Sequence, residues 1–364
     1  MPESDPRTES RHAGVRQQPD WRETLRRGVA IPAHPLALNA RRQLDRQRQR
    51  ALSRYYIDAG AGGLAVGVHT TQFAIREHNL YEEVLCIAAD CAADWGRPAR
   101  PLVLVAGICG VTDTAVAEAR LARSVGYHAG LLSLAALQSA PPEALIEHCR
   151  AVAAELPLVG FYLQPAVGGL HLDVDFWTRF AAIEQVVAIK VAPFDRYRTL
   201  DVVRGIVAAG AEDRITLYTG NDDHIVLDLV TPFVALRDRE PITLRFRGGL
   251  LGHWSVWTHN AVALLERCRE ASAADHVDTA LLALDSRVTD CNSAFFDVAN
   301  DFRGCIAGCH EVLRRQGLLE GNWCLDPGET LGPGQLARID RVYRDHRDLA
   351  DDTFVAMNLD RWLG

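Results

Sequence analysis

Apolar runs of strand length alternate with amphipathic stretches of helix length through roughly the first 260 residues. The first run, GVAIP (28–32), precedes RRQLDRQRQRALSRYYIDAG (41–60), a charged stretch that predicts a helix ending near Gly60. LAVGV (64–68) gives way to HNLYEEVLCIAADCAADW, PLVLVAGI (101–108) to TAVAEARLARSVG, and HAGLLSLAAL to PPEALIEHCRAVAAE. LPLVGFYL (156–163), VVAIKV (186–191) and RITLYTG (214–220) each lead into another helical stretch, the last being DHIVLDLVTPFVAL. Either ITLRFRGG or the segment around HWSVW supplies the last strand. Within these runs the apolar residues are consecutive. A parallel sheet covered on both faces requires that, because neither face of a strand meets water.

About eight such units in some 230 residues predict an α/β fold of the TIM-barrel type, (β/α)8. An open doubly wound sheet would bring a phosphate or dinucleotide loop, and neither GxGxxG nor GxxxxGK[ST] occurs. Beyond about residue 260, NAVALLERCREA and FFDVANDFRGCIAGCHEVLRRQG read as helices, with ADHVDTALLALDSRV a weaker one between them. The expected organisation is a polar N-terminal arm over 1–24 and a barrel over 25–260. A C-terminal helical extension over 261–364 would pack on the barrel or on a partner subunit.

Composition narrows the function classes. The chain has 364 residues, 48% of them hydrophobic, and a net charge of −8, which argues against nonspecific nucleic-acid binding. No apolar run is long enough to cross a membrane, and MPESDPRTESRHAG lacks the apolar core of a signal peptide, so a cytoplasmic location is expected. The nine cysteines include no CxxC pair. Cys305, Cys309 and His310 fall in a predicted helix and read as buried packing residues rather than metal ligands.

The candidate chemistry sits in EQVVAIKVAPFD (184–195), where Lys190 interrupts an apolar run. On an edge strand such a lysine would simply face solvent. In a barrel, VVAIKV is the sixth strand and Lys190 lies at its C-terminal end, the face that carries active sites. The fifth strand ends in Tyr162, the seventh at Thr219 and Gly220, and the second at His69, Thr70 and Thr71. A partly desolvated amine loses proton affinity and can attack a ketone to form an imine, while a nearby phenol relays protons. Asp222 and Asp223 in GNDDH line the rim or form a solvated turn. Trp254 and Trp257 form an apolar substrate wall or pack between barrel and helices.

In the order of its motifs the chain resembles the dihydrodipicolinate synthase/N-acetylneuraminate lyase family of class I Schiff-base aldolases, over roughly residues 28–315. GFYLQPAVGG is similar to the segment in which a tyrosine leads into a proline–glycine turn, and IKVAPFD to the one bearing the imine-forming lysine, 28 positions later. YTGNDD resembles the family's Ser-Gly-Asp loop, and GGLLGHWSVWTHNA its glycine-rich segment ending in Asn260. The resemblance implies Lys190 and Tyr162 as catalytic residues, with His69, Thr70, Thr71, Gly220, Asn221 and His253 at the substrate. It also implies a small 2-keto acid or aldehyde substrate, no metal or nucleotide cofactor, and a homodimer or homotetramer.

The departures fall in the substrate contacts. GVHTTQF replaces the Gly-Thr-Thr-Gly-Glu pattern, so ungapped alignment puts Val68 and His69 at the threonine positions. Only a one-residue shift would restore Thr70 or Thr71. Val167 stands where the synthases carry an arginine for a second carboxylate, and Leu137 near the place of a further tyrosine. Losing that arginine removes both charge and bidentate geometry, so aspartate semialdehyde is expected to be a poor substrate. A catalytically retired barrel that keeps Lys190 is the alternative to an enzyme.

Overall fold

The computed structural model describes residues 20–97, 100–274 and 276–364; most of the expected N-terminal arm lies outside them. Ten strands are present among the described residues. They are β1 (Ala30–Pro32), β2 (Gly63–Val66), β3 (Val103–Ile108), β4 (Ala129–Leu132), β5 (Leu158–Leu163), β6 (Val186–Ala192), β7 (Thr216–Thr219), β8 (Phe233–Arg237), β9 (Glu240–Leu244) and β10 (Phe246–Leu251). Eight of them pair in parallel in the order β1-β10-β7-β6-β5-β4-β3-β2. The ends meet where Ala33 bridges Ala65 and the His34 N–H donates to the Ala65 carbonyl at 2.8 Å. The result is the expected TIM barrel.

Strand residues of one parity fill the barrel and those of the other parity meet the helices. Val105, Val159, Phe161, Ala188 and Leu250 belong to the interior cluster. Leu104, Leu158, Tyr162, Ile189 and Val191 belong to the layer between sheet and helices. That layer is closed by α2 (Arg46–Ala59), α3 (Tyr81–Trp95), α4 (Thr112–Ser124), α5 (Pro142–Ala153), α6 (Val174–Ala181), α7 (Arg196–Ala208), α8 (Ile225–Val230) and α9 (Thr258–Ala273). The N-terminal end of the barrel is plugged by α1 (Trp21–Arg27), which begins inside the expected arm and is capped by the Asp20 side chain. Inside the barrel, the Tyr218 hydroxyl donates to the Leu25 carbonyl at 2.8 Å, tying that plug to β7.

The last unit departs from expectation. TPFVAL does not extend the helix: α8 stops at Val230, and Phe233–Arg237 forms an antiparallel hairpin with β9. Asp238 and Arg239, both at positive φ, make its two-residue turn, a left-handed geometry that polar turn residues tolerate. ITLRFRGG is therefore divided, its first half in β9 and its second in β10, the eighth barrel strand. HWSVW contributes only a short 3-10 turn, His253–Ser255.

After α9 come α10 (Thr279–Phe295), α11 (Cys305–Arg315), α12 (Gln335–Asp345) and α13 (Asp352–Leu363). The stretch read as a weak helix is the 17-residue α10, whose N-terminus is capped by Asp278. These helices pack against the barrel of their own chain. Buried Trp362 on α13 donates its indole N–H to Asp58 on α2 at 2.7 Å, and Arg54 bonds the Trp362 carbonyl. Tyr55 reaches Asp351, and Asn260 on α9 donates to the carbonyls of Leu349 and Ala350. No helix among the described residues is long and apolar enough to cross a membrane.

Candidate active site

Pairing register puts Phe161 of β5, Lys190 of β6 and Tyr218 of β7 abreast, all pointing into the barrel. The Lys190 ammonium nitrogen lies 4.5 Å from the centre of the Phe161 ring. Burial lowers the lysine's proton affinity, while the carboxylate of Asp222 raises it. Gly220, just beyond β7, leaves room for the lysine stem: a Cβ there would meet Lys190 Cε at 2.6 Å and Ala192 Cβ at 2.8 Å. This close approach gives the glycine its structural reason.

The same cavity is lined by His69, Thr70, Gln164, Val167, Asp222 and Cys305, and by Phe161, Phe194, Phe296 and Phe302. Asp222 is buried, and burial raises its carboxyl pKa against the opposing pull of the His253 N–H bond and of Lys190. The His253 N–H donates to its Oδ1 at 2.9 Å. Asp223, by contrast, is exposed. His69 is held neutral, its pKa lowered to about 4 by desolvation and by the neighbouring lysine. Phe194 is positioned by a buried relay. Its N–H donates to Asn221 Oδ1 (3.0 Å), and Asn221 Nδ2 donates to Asp228, which also accepts from Thr219 and pairs with Arg196.

The C-terminal extension closes the mouth. Phe296 and Phe302 reach the cavity from the segment between α10 and α11, and Cys305 from the first residue of α11. Asp297, Asp301 and Phe302 sit there at positive φ, a strained conformation for side-chain-bearing residues that surrounding bonds must hold. Asp297 accepts from the Gly304 N–H, Asn300 and Arg338, and Gln335 donates to the carbonyls of Ala294, Phe295 and Gly304.

Of the residues singled out from sequence, Lys190, His69, Thr70, Gly220 and Val167 come together here. Tyr162 does not, and this corrects the expectation that it shares the mouth with the lysine. Its parity is opposite to that of Phe161, so its ring packs on Trp177, and its hydroxyl both donates to and accepts from the Leu172 backbone. Thr71 is also turned inward on the backbone, donating to the His34 carbonyl at 2.6 Å and accepting from the N–H groups of Gly67 and Val68. Asn221 supports Phe194 without lining the cavity. His253 reaches the site through its backbone, while its imidazole stacks on Phe295. Trp254 and Trp257 are buried packing residues, and Leu137 lies off the cavity.

The sequence reading missed the phenylalanine wall and the contribution of Cys305. It also passed over a plain signal. Lys190 is the only lysine among the 39 Lys and Arg residues of the chain. Arginine serves at every other Lys/Arg position, and a guanidinium does not give up its proton in proteins, whereas the Lys190 amine can.

The site is thus a parallel barrel with a single, largely desolvated lysine at its C-terminal mouth. The chain belongs to the dihydrodipicolinate synthetase family, whose model matches residues 28–231, more than half of its length. N-acetylneuraminate lyase 2 of Escherichia coli is 28% identical over 208 residues, a match covering 55% of this chain and 63% of that one. The chain therefore spans less than two thirds of that relative's length. Dihydrodipicolinate synthase from Oceanobacillus iheyensis superposes with a TM-score of 0.70 at 17% identity, over 90% of this chain and 100% of that one. The Acinetobacter baumannii synthase, solved in complex with pyruvate, gives 0.70 at 18% identity, over 87% and 98% of the two chains.

Proposed function

We propose that this protein is a class I aldolase-type lyase in which Lys190 forms an imine with pyruvate or another 2-keto acid. The observation that carries this reading is the chain's one lysine, lowered in proton affinity by burial, at the mouth of the barrel. Its free amine adds to the C2 carbonyl, and loss of water gives the imine. Once protonated, the imine accepts the electron pair left on C3 when the C3–C4 bond or a C3–H bond breaks. The neutral imidazole of His69 lines the cavity and would contact the substrate carboxylate, whereas the Thr70 hydroxyl donates to the Ala33 carbonyl at 2.8 Å. Val167 and the phenylalanines offer no partner for a second carboxylate. Family membership and the pyruvate complex of the Acinetobacter baumannii synthase support the keto-acid class.

Borohydride reduction in the presence of a panel of 2-keto acids tests this. One substrate-sized increment should appear on the peptide containing Lys190 and vanish in Lys190→Ala. The only other primary amine in the sequence as it stands is the α-amine of Met1, so an adduct confined to that terminus, or turnover surviving in Lys190→Ala, overturns the assignment. A binding protein that retains the lysine without turnover is the second reading. One observation favours it: no tyrosine lines the cavity among the described residues. A trapped adduct with no turnover of any keto acid would select it.

A further inference from the structure

The imine proposed above needs a group to carry protons, and the phenol expected there faces the other way. Phe161, which bears no exchangeable proton, stands against Lys190, and the Tyr162 hydroxyl is held by Leu172 in the helix layer. We infer that Asp222 is the proton-transfer residue of this site, acting between the substrate hydroxyl and C3.

Three observations carry the assignment. Asp222 lines the same cavity as Lys190 and is the chief negative charge acting on it. One of its oxygens, Oδ1, is fixed by the His253 N–H, and no hydrogen bond among the described residues engages the other, Oδ2. Its position is set by structure on both sides, since Asn292 donates to its backbone carbonyl and the turn before α9 supplies the His253 N–H. A carboxylate anchored at one oxygen and open at the other can accept and return a proton without reorienting.

The step balances. In cleavage, the C4 hydroxyl gives its proton to the Asp222 carboxylate as the C3–C4 bond breaks. The aldehyde leaves, and the bond's electron pair moves through C2 to the imine nitrogen to give an enamine. Asp222 then returns the same proton to C3, and water hydrolyses the imine to free keto acid and lysine. With pyruvate alone, the same C3 step runs in both directions and exchanges methyl hydrogens with solvent.

The inference rests on the Lys190 imine, and its test separates the two. Imine formation is read by borohydride trapping with pyruvate, and proton transfer by deuterium uptake into the pyruvate methyl in heavy water. Asp222→Asn should still trap the imine while losing exchange by about 10²–10⁴-fold, the usual range for a positioned acid–base group. Tyr162→Phe should exchange within about twofold of the unaltered protein, a far smaller effect than that range. Wild-type-like exchange in Asp222→Asn, or loss of trapping and exchange together, overturns the role of Asp222. Absence of any adduct in the unaltered protein overturns the imine and this role with it.

A second measurement does not depend on the variant folding. At saturating pyruvate, where Lys190 is already consumed in the imine, exchange should fall with decreasing pH through an inflection above the usual carboxylate range. The groups facing Asp222 are Lys190 on β6, the His253 turn, Asp223 beside it, and Cys305 and Cys309 on α11. Both thiols are pushed up by burial and titrate on the alkaline side, and the His253 imidazole, lowered to about 4, titrates below that inflection. An inflection confined to the alkaline side overturns the assignment.

Discussion

At the scale of the residue, one position along β5 decides which ring meets the lysine. A strand's side chains alternate, so the neighbours Phe161 and Tyr162 face opposite sides of the sheet. The 28-position spacing between Tyr162 and Lys190 carries no information about that parity, because a register shift lies between Leu158 and Val159 of the β5–β6 pair. Lys190 itself was legible, since an amine in an apolar run at a strand end has few structural uses. Tyr162→Phe should leave turnover nearly unchanged and cost about 0.5–1.5 kcal/mol of stability, the worth of its bonds to Leu172. Kinetics and a urea titration on one preparation check both parts, and a large loss of kcat would restore the phenol to the chemistry. Gly220→Ala should impair both turnover and stability. Its φ is not in the left-handed region, so the backbone tolerates alanine, but the new Cβ displaces the lysine stem. The rate of imine trapping should fall at least tenfold, with a stability loss of roughly 1–3 kcal/mol for overpacking. Unaltered trapping would show that the stem moves aside freely.

At the scale of the element, the strands were legible wherever both faces are buried, because burial writes itself as continuous apolar sequence. The hairpin of β8 and β9 was not, since IVLDLVTPFVAL satisfies helical spacing until Thr231 and Pro232 interrupt it. Val234 and Leu236 then project outward from β8 as exposed apolar side chains, so the strand's alternating burial is not written as apolar–polar alternation in the sequence. Least legible was the segment between α10 and α11, whose role at the mouth depends on contacts far apart in sequence. Asp297 holds that segment against Arg338 on α12 and the Gly304 N–H. Asp297→Ala leaves those donors without their acceptor and should loosen residues 296–304 by roughly 2–4 kcal/mol, short of a fully buried pair because Arg338 is partly exposed. Amide hydrogen exchange should rise in that segment while the barrel strands keep their protection. Equal protection in variant and unaltered protein would mean that the phenylalanine wall is held by packing alone.

At the scale of the whole molecule, barrel and extension share one sensitivity to acid. His34, at the end of β1, bonds Ser53 on α2; His253 sits in the turn before α9; His310 on α11 bonds the Trp323 carbonyl. All three are buried, and desolvation lowers each pKa from 6.5 to about 4. Because the folded-state value lies below the unfolded one, the unfolded chain takes up these protons first as pH falls. Each histidine's contribution is therefore fully present above about pH 6.5 and is lost progressively as pH falls toward about 4. Buried Asp228 and Asp351, whose pKa values are raised by burial, act in the opposite sense, so the unaltered protein alone does not isolate the effect. A difference measurement does. His310 is the best position, since its Nδ1 has one bond and its buried Nε2 has no partner. His310→Gln should be less stable than the unaltered protein near neutrality, yet should lose less stability between about pH 7.5 and about pH 5. The difference should be roughly 2 kcal/mol, at about 1.4 kcal/mol for each pH unit below 6.5. Urea titrations of both proteins at the two pH values measure it. Parallel losses would show that His310 takes up its proton over the same pH range in the folded protein as in the unfolded chain, and that the core around α11 admits water.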